Sequence, residues 1–333
     1  MNGPVSEFPE RIDVFPLPDL VPAGYRPAAV LFIDVLRATT TMTAALAAGA
    51  EQVIPVMEPA QAISMKRLLE ESDPQKKGKI VLGGERKGVR IEGFDLGNSP
   101  SSYASETVRG KMLLFSTTNG TRAILTFERI SALPPEDPKQ EKRRYGGPSL
   151  RRGMADIPAE GRTRAFLGAF LNAAAVVERL RAFRSVALVC SGTADGEGGG
   201  RVASGRRAGT GAAAAGGADK AGPRYTEEDI LLAGLLVSRL LRPRAGGTDR
   251  PGAGPFPRPL LNAQAETAKY LWESFLDTTT PERLEKDLYE KLLVSRGGEN
   301  LRRIRLQADV WDASRLDRLD VVAEYSLGRV RLS

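Results

Sequence analysis

Four apolar runs of this chain each end in a cluster of small polar and charged residues. The four segments span residues 31–41, 80–86, 112–122 and 186–193. A buried-type strand that passes through a polar turn into a helical segment is typical of an α/β sheet. The recurrence predicts an α/β fold with a mostly parallel sheet flanked by helices. Because parallel strands place ligands beyond their carboxyl ends, the polar clusters should line one crevice suited to an oxyanion.

Three segments without a hydrophobic period interrupt this pattern. They favour an N-terminal α/β half over 1–135, an insertion over 136–162, and a C-terminal α/β half over 163–333 with low-complexity insertions near 195–223 and 242–259. The excess of positive charge, +7 for the whole chain, is concentrated in these segments. They lack the interleaved aromatic residues of a base-stacking surface, so we expect solvated insertions and no nucleic-acid partner.

Apolar patterning predicts further elements in the C-terminal half. A stripe of apolar residues predicts a helix over 166–183, which could belong to the core or to a contact between copies of the chain in a homo-oligomer. Two closing strands are expected, one around Val310 and one over 321–325.

The chain contains no histidine and a single cysteine, Cys190. Histidine-based triads and histidine-held zinc sites are excluded, so a catalytic proton must move through a carboxylate, lysine, tyrosine, cysteine or water. A metal ion would be held by oxygen atoms, as magnesium, manganese and calcium are. A lone cysteine fits a reducing cytosol. With no signal peptide and no apolar run of about 18–20 residues, we expect a cytoplasmic protein with no membrane partner.

The segment from Asp34 to Thr41 runs from the end of a strand into a helix. Free backbone N–H groups and the positive end of the helix dipole attract anions at such a position. Arg37 can fork onto two phosphate oxygens, and the hydroxyls of Thr39 and Thr40 add donors. Asp34 could act either as a metal ligand or as the nucleophile that attacks phosphorus. We therefore take Asp34 and Arg37 as candidate catalytic residues.

The second segment combines glycines, carboxylates and cations over residues 83–100. Glycine lets the backbone approach a ligand closely. Glu85 is a further candidate catalytic residue, and with Asp34 and Asp95 it could complete an oxygen-only magnesium site. The expected ligands of substrate oxygens in this segment are Arg86, Asn98 and Ser99.

The third segment again links a strand to a helix and carries four hydroxyl groups over residues 116–121. A helix cap needs fewer, and the Asn-Gly pair can form a backbone nest for an anion. The candidate phosphate ligands are Thr117, Thr118, Asn119, Gly120 and Thr121.

The fourth segment is less specific. A cysteine-phosphatase loop needs an arginine six positions after its cysteine, but that position holds Gly196, so we interpret Cys190 as a small buried thiol. The acidic residues 227–229 can be metal ligands or a dipole-favoured helix start, and the pattern favours the helix start.

These segments together resemble the 2-phosphosulfolactate phosphatase family. The matching stretches are 33–41, 84–88, 93–100, 117–123, 170–176, 190–193 and 228–234. The resemblance implies a magnesium-dependent phosphatase that releases sulfolactate and phosphate from 2-phospho-3-sulfolactate, a step associated with coenzyme M synthesis. A closely similar small anionic phosphomonoester fits the same motifs.

Two questions stay open at the level of sequence. The attacking group could be Asp34, through a phosphoaspartyl intermediate, or a metal-bound water. The alternative to an enzyme is a non-enzymatic anion-binding or regulatory module, which would need the oxyanion loops but not the carboxylates.

Overall fold

The computed structural model describes residues 8–132, 163–193, 224–243 and 258–333. The insertions expected at 136–162 and 195–223, and all but the ends of that at 242–259, lie outside these ranges. Within them, helices flank one 11-stranded sheet, which confirms the predicted α/β class. None of the described helices combines the length and the apolar character that crossing a bilayer requires.

The regular elements alternate along most of the chain. The strands are β1 (Arg11–Phe15), β2 (Ala29–Ile33), β3 (Gln52–Pro55), β4 (Ile80–Arg86), β5 (Val89–Arg90), β6 (Met112–Ser116), β7 (Arg164–Gly168), β8 (Ser185–Cys190), β9 (Leu260–Leu261), β10 (Ala323–Ser326) and β11 (Arg329–Leu332). The helices are α1 (Ala38–Ala47), α2 (Pro59–Ser72), α3 (Ser105–Val108), α4 (Gly120–Ala132), α5 (Ala173–Leu180), α6 (Glu227–Leu240), α7 (Ala263–Leu276), α8 (Leu284–Leu293), α9 (Arg296–Arg303) and α10 (Gln307–Ser314).

The sheet consists of two parallel groups joined by an antiparallel hairpin. The strand order is β5-β4-β6-β3-β11-β10-β7-β2-β8-β1-β9, with β10 and β11 in the middle. Because the pairings β7–β10, β10–β11 and β11–β3 are all antiparallel, the β3-β6-β4 group runs opposite to the β7-β2-β8-β1 group along the ladder. In a flat sheet, their carboxyl ends would lie at opposite edges. The usual twist of a sheet, about 20–25° per strand, rotates the two groups relative to each other.

Strand β2 lies between β7 and β8 and is buried on both faces. Leu31 and Ile33 pack in a core formed with α5, α6 and α7. Val30 and Phe32 point the other way and pack with α1 and α4. The alternation follows from the two-residue side-chain period of a strand. A continuous apolar run is what a strand covered by helices on both faces needs.

Two predictions of secondary structure were wrong. The helix expected over 166–183 begins only at Ala173, because Phe166 belongs to β7, which pairs with β2 and β10. Hydrophobic periodicity cannot distinguish a short buried strand from a helical turn. Pairing with neighbouring strands determined that these residues form a strand. The strand expected around Val310 is the helix α10, in which Val310 and Ala313, three residues apart, both pack against the core.

Candidate active site

One cavity of about 840 Å³ opens where the segments after β2, β6 and β8 meet the end of β4. Each of the four polar clusters seen in the sequence contributes to its lining. The sequence-predicted residues that line it are Asp34, Arg37, Glu85, Arg86, Asn98, Thr117, Thr118 and Asn119. The convergence expected of the four strand ends is therefore present.

Asp34 lies at the base of the cavity, directly after β2, and is only 6% exposed. Its Oδ1 accepts a hydrogen bond of 3.1 Å from the backbone N–H of Ala38 at the start of α1. Gly120, at the start of α4, packs against the same carboxylate. A Cβ at Gly120 would lie 2.9 Å from Asp34 Oδ2 and 2.5 Å from the Cβ of Ala38. The Asp34 carboxylate is therefore held between the first turns of two helices.

The hydroxyls of Thr39 and Thr40 face the backbone and do not line the cavity. Thr39 Oγ1 lies 2.7 Å from the carbonyl oxygen of Gly168 and 2.9 Å from that of Asp34, and its single proton can be donated to either. Thr40 Oγ1 donates to the carbonyl of Val35 at 2.8 Å. The strand has just ended at this turn, and the two hydroxyls bond to backbone groups of the turn and of β7. These two threonines shape the loop that carries Asp34.

Arg37 is buried by contacts from two distant segments and follows a cis peptide bond after Leu36. Its guanidinium lies 2.5 Å from Asp309 Oδ2 and donates to the carbonyl of Gly88 at 2.7 Å. Ser99 Oγ donates to the same Asp309 oxygen at 2.9 Å. Ser99 is therefore part of the support of Arg37 and is absent from the cavity lining. Nothing in the sequence around Asp309 marked it.

Glu85 ties two loops of the site together. Its Oε1 accepts from the backbone N–H of Thr118 at 3.0 Å, and its Oε2 accepts from that of Gly88 at 2.7 Å. Both carboxylate oxygens thus bond backbone donors, one after β6 and one in the β4–β5 turn. Thr121 plays a similar local role, because its N–H donates to Thr117 Oγ1 at 3.2 Å at the start of α4.

Arg86 and Asn98 face the cavity from the second segment. Arg86 donates to Ser116 Oγ at 3.0 Å and to the carbonyl of Met57. Asn98 is 5% exposed, and its backbone carbonyl accepts from Thr41 Oγ1 at 3.0 Å. Its side-chain oxygen is buried without a hydrogen-bond partner. An unpartnered buried polar atom on a cavity wall is the kind of group that a ligand can satisfy.

The structure does not bring Asp95 to the cavity. Its carboxylate is about half exposed and accepts from Leu82 N at 2.8 Å and Lys66 Nζ at 3.2 Å. Asp95 therefore shapes the loop beside β4, and the expected trio of Asp34, Glu85 and Asp95 is not assembled. In the part of the chain that the structure describes, no three acidic or cysteine side chains are gathered as a ready-made metal cluster.

Glu228 and Asp229 line the cavity. From the sequence, we expected them only to stabilise the start of α6. Asp229 Oδ1 accepts from Val35 N at 2.9 Å, and its Oδ2 accepts from Ser191 Oγ at 3.2 Å. Glu228 packs against α9, since a Cβ at Gly297 would lie 2.1 Å from Glu228 Oε1. Its Oε2 is buried without a partner. Both residues are 2% exposed.

Burial raises the pKa of three of these acids to about 7. For Asp34, burial acts together with the negative charges of Asp229 and Glu85. For Asp229, burial acts together with the charge of Glu228, and for Glu228 together with that of Asp34. These three acids, Asp34, Glu228 and Asp229, form the floor of the cavity, which can therefore take up or release protons near neutral pH. Cys190, in contrast, is fully buried, as predicted, and burial raises its pKa well above the usual value.

Comparisons with known proteins identify the family of this chain. The family model of 2-phosphosulpholactate phosphatase matches residues 15–133 and 157–328. A protein of Symbiobacterium thermophilum is 30% identical over 90% of this chain and 92% of its own length. Proteins of Caldicellulosiruptor saccharolyticus and Thermotoga maritima are 28% and 31% identical over 88% and 84% of this chain and 87% and 83% of their own lengths. All three are named "probable 2-phosphosulfolactate phosphatase". The chain belongs to the 2-phosphosulpholactate phosphatase family.

Proposed function

We propose that this protein is a magnesium-dependent phosphatase that hydrolyses 2-phospho-3-sulfolactate, or a closely similar small anionic phosphomonoester, to the hydroxy acid and phosphate. The observation that carries the proposal is the position of Asp34. Its buried carboxylate shares one cavity with Thr118 and Asn119 after β6 and with the guanidinium groups of Arg37 and Arg86. Family membership supplies the substrate class.

The donor set of the cavity suits a hard divalent cation. Asp34, Glu228 and Asp229 offer only oxygen ligands, and Glu228 Oε2 is buried without a partner. Magnesium commonly binds one or two protein carboxylates and completes its shell with waters and substrate phosphate, so a cage of three protein ligands is not required. When bound, magnesium would offset the charge that develops on the phosphoryl oxygens.

The protein groups have separable tasks in this scheme. Arg37 and Arg86 present cationic donors to an anion, and Arg37 is kept in place by Asp309. The acids with a pKa near 7 can hold or release a proton in the pH range where general acid–base catalysis is most effective. Asp34 is the residue that we expect to carry the chemistry, either as nucleophile at phosphorus or as the base that activates water.

Phosphate release from 2-phospho-3-sulfolactate, measured with magnesium and with EDTA, tests the proposal. We expect metal-dependent turnover that falls by at least about 10³-fold in Asp34→Asn, as for other residues at the reacting centre. Asp95→Asn is the matched control, because Asp95 lies outside the cavity and should leave turnover within a few-fold. Absence of turnover together with phosphate binding that Asp34→Asn leaves intact or improves would indicate an anion-binding module instead.

Rapid quenching with phosphate-labelled substrate separates the two roles of Asp34. Label recovered on Asp34 indicates nucleophilic attack by its carboxylate. A wild-type protein that turns over without any label on Asp34 indicates attack by water.

A further inference from the structure

Helix α9 forms one wall of the cavity, and both of its ends are fixed. At its first turn, Gly297 approaches Glu228 so closely that a Cβ would lie 2.1 Å from Glu228 Oε1. Just past its last turn, Ile304 meets the β4–β5 turn, where a Cβ at Gly88 would lie 2.8 Å from Ile304 Cδ1. The helix therefore extends from Glu228 to the turn that follows Arg86.

One face of α9 presents cationic and amide groups to the cavity. Arg296, Asn300 and Arg303 all line it. Spacings of four and three residues place side chains on the same side of a helix. Arg303 Nη1 lies 3.4 Å from Asn300 Oδ1, so the two side chains share this surface. All three are exposed to solvent, whereas the carboxylates of the floor are buried.

The cavity is therefore polarised. Its floor holds the buried acids Asp34, Glu228 and Asp229, and a second anionic group of a substrate placed there would meet like charges. Arg37 and Arg86 also line the cavity, and their bonds to Asp309 and Ser116 hold their guanidinium groups in place. An anion that does not react is best accommodated on the solvent-exposed α9 wall, where Arg296 and Arg303 supply positive charge.

We infer that the α9 face formed by Arg296, Asn300 and Arg303 binds the non-reacting anionic group of the substrate, its sulfonate or its carboxylate. This inference rests on the proposed function and adds the specificity element to it. Arginine suits either anion because its planar fork can donate two parallel hydrogen bonds to neighbouring oxygens. The consequence is selectivity for phosphomonoesters with a second anionic group over those with none.

Binding of sulfolactate and of inorganic phosphate, each measured by titration calorimetry, tests the inference without requiring turnover. Arg303→Met keeps the aliphatic stem and removes the charge. We expect about 10-fold weaker binding of sulfolactate, the effect of losing one charge-assisted hydrogen bond, with phosphate affinity within about twofold. Arg302→Met is the matched control, because Arg302 is a neighbouring exposed arginine of the same helix outside the cavity lining. It should change neither affinity.

Competition by 2-phospholactate, which lacks the sulfonate, and by 2-phosphoethanesulfonate, which lacks the carboxylate, identifies the group that is held. The analogue whose affinity falls in Arg303→Met carries that group. Equal losses for sulfolactate and phosphate, or no loss for sulfolactate, would overturn the role of α9. A wild-type protein that hydrolyses phosphomonoesters but does not bind sulfolactate would instead overturn the proposed substrate, and this inference with it.

Discussion

Replacing Glu228 with glutamine should stabilise the metal-free protein, and the gain should grow with pH. Burial and the charge of Asp34 raise the pKa of Glu228 from 4.5 to about 7. A raised pKa in the folded state favours folding while the group is protonated, and this contribution is lost as pH rises through the folded-state pKa of about 7. At 1.36 kcal/mol per pKa unit, the difference corresponds to about 3 kcal/mol. Glutamine is neutral throughout and so avoids this loss.

The assay is urea unfolding in EDTA, followed by tryptophan fluorescence at about pH 4.5 and pH 8. The free energy of unfolding of Glu228→Gln, relative to wild type, should be about 3 kcal/mol higher at pH 8 than at pH 4.5. Glu227→Gln is the control. The Glu227 side chain is 44% exposed and pairs with Lys291 at 2.7 Å, so its replacement should change stability by less than about 0.5 kcal/mol at either pH. An effect of Glu228→Gln that is the same at both pH values would refute the reasoning.

Three further predictions concern the same floor and its supports. Adding magnesium at pH 8 should raise the melting temperature of the wild type more than that of Glu228→Gln, because a bound cation stabilises the folded state and offsets its buried charges. Equal shifts in melting temperature would argue against Glu228 as a magnesium ligand. Asp309→Asn should lower the free energy of unfolding by about 3–5 kcal/mol in urea titrations, because it leaves the buried guanidinium of Arg37 without its counter-charge. Gly120→Ala should reduce turnover, since its Cβ would lie 2.9 Å from Asp34 Oδ2, whereas Gly97→Ala, whose Cβ would lie 3.5 Å from its nearest neighbour, should be tolerated. Full activity of Gly120→Ala would show that Asp34 need not occupy its observed position.

Local chemistry explains why much of this protein could be predicted. A continuous apolar run such as that of β2 indicates a strand buried on both faces, and a glycine- and hydroxyl-rich turn indicates where it ends. These signals lie within about ten residues of one another, so they do not depend on the rest of the chain. They sufficed for the α/β class and for the convergence of Asp34, Glu85 and Thr118 on one cavity. They did not distinguish a hydroxyl that bonds a ligand from one that bonds its own backbone, as Thr39 and Thr40 do.

Tertiary structure alone decided the rest of the site. Arg37 and Asp309 are 272 residues apart, and no local pattern links them. Asp229 becomes a cavity residue because α6 begins beside the end of β2, where the N–H of Val35 donates to its carboxylate. Residues that follow strands of both oppositely running groups line the same cavity, and no local pattern predicts that meeting. Sequence therefore determined which segments could bind an anion. The packing of strands and helices determined which charges surround that anion, because electrostatic interactions depend on distances that only the folded chain sets.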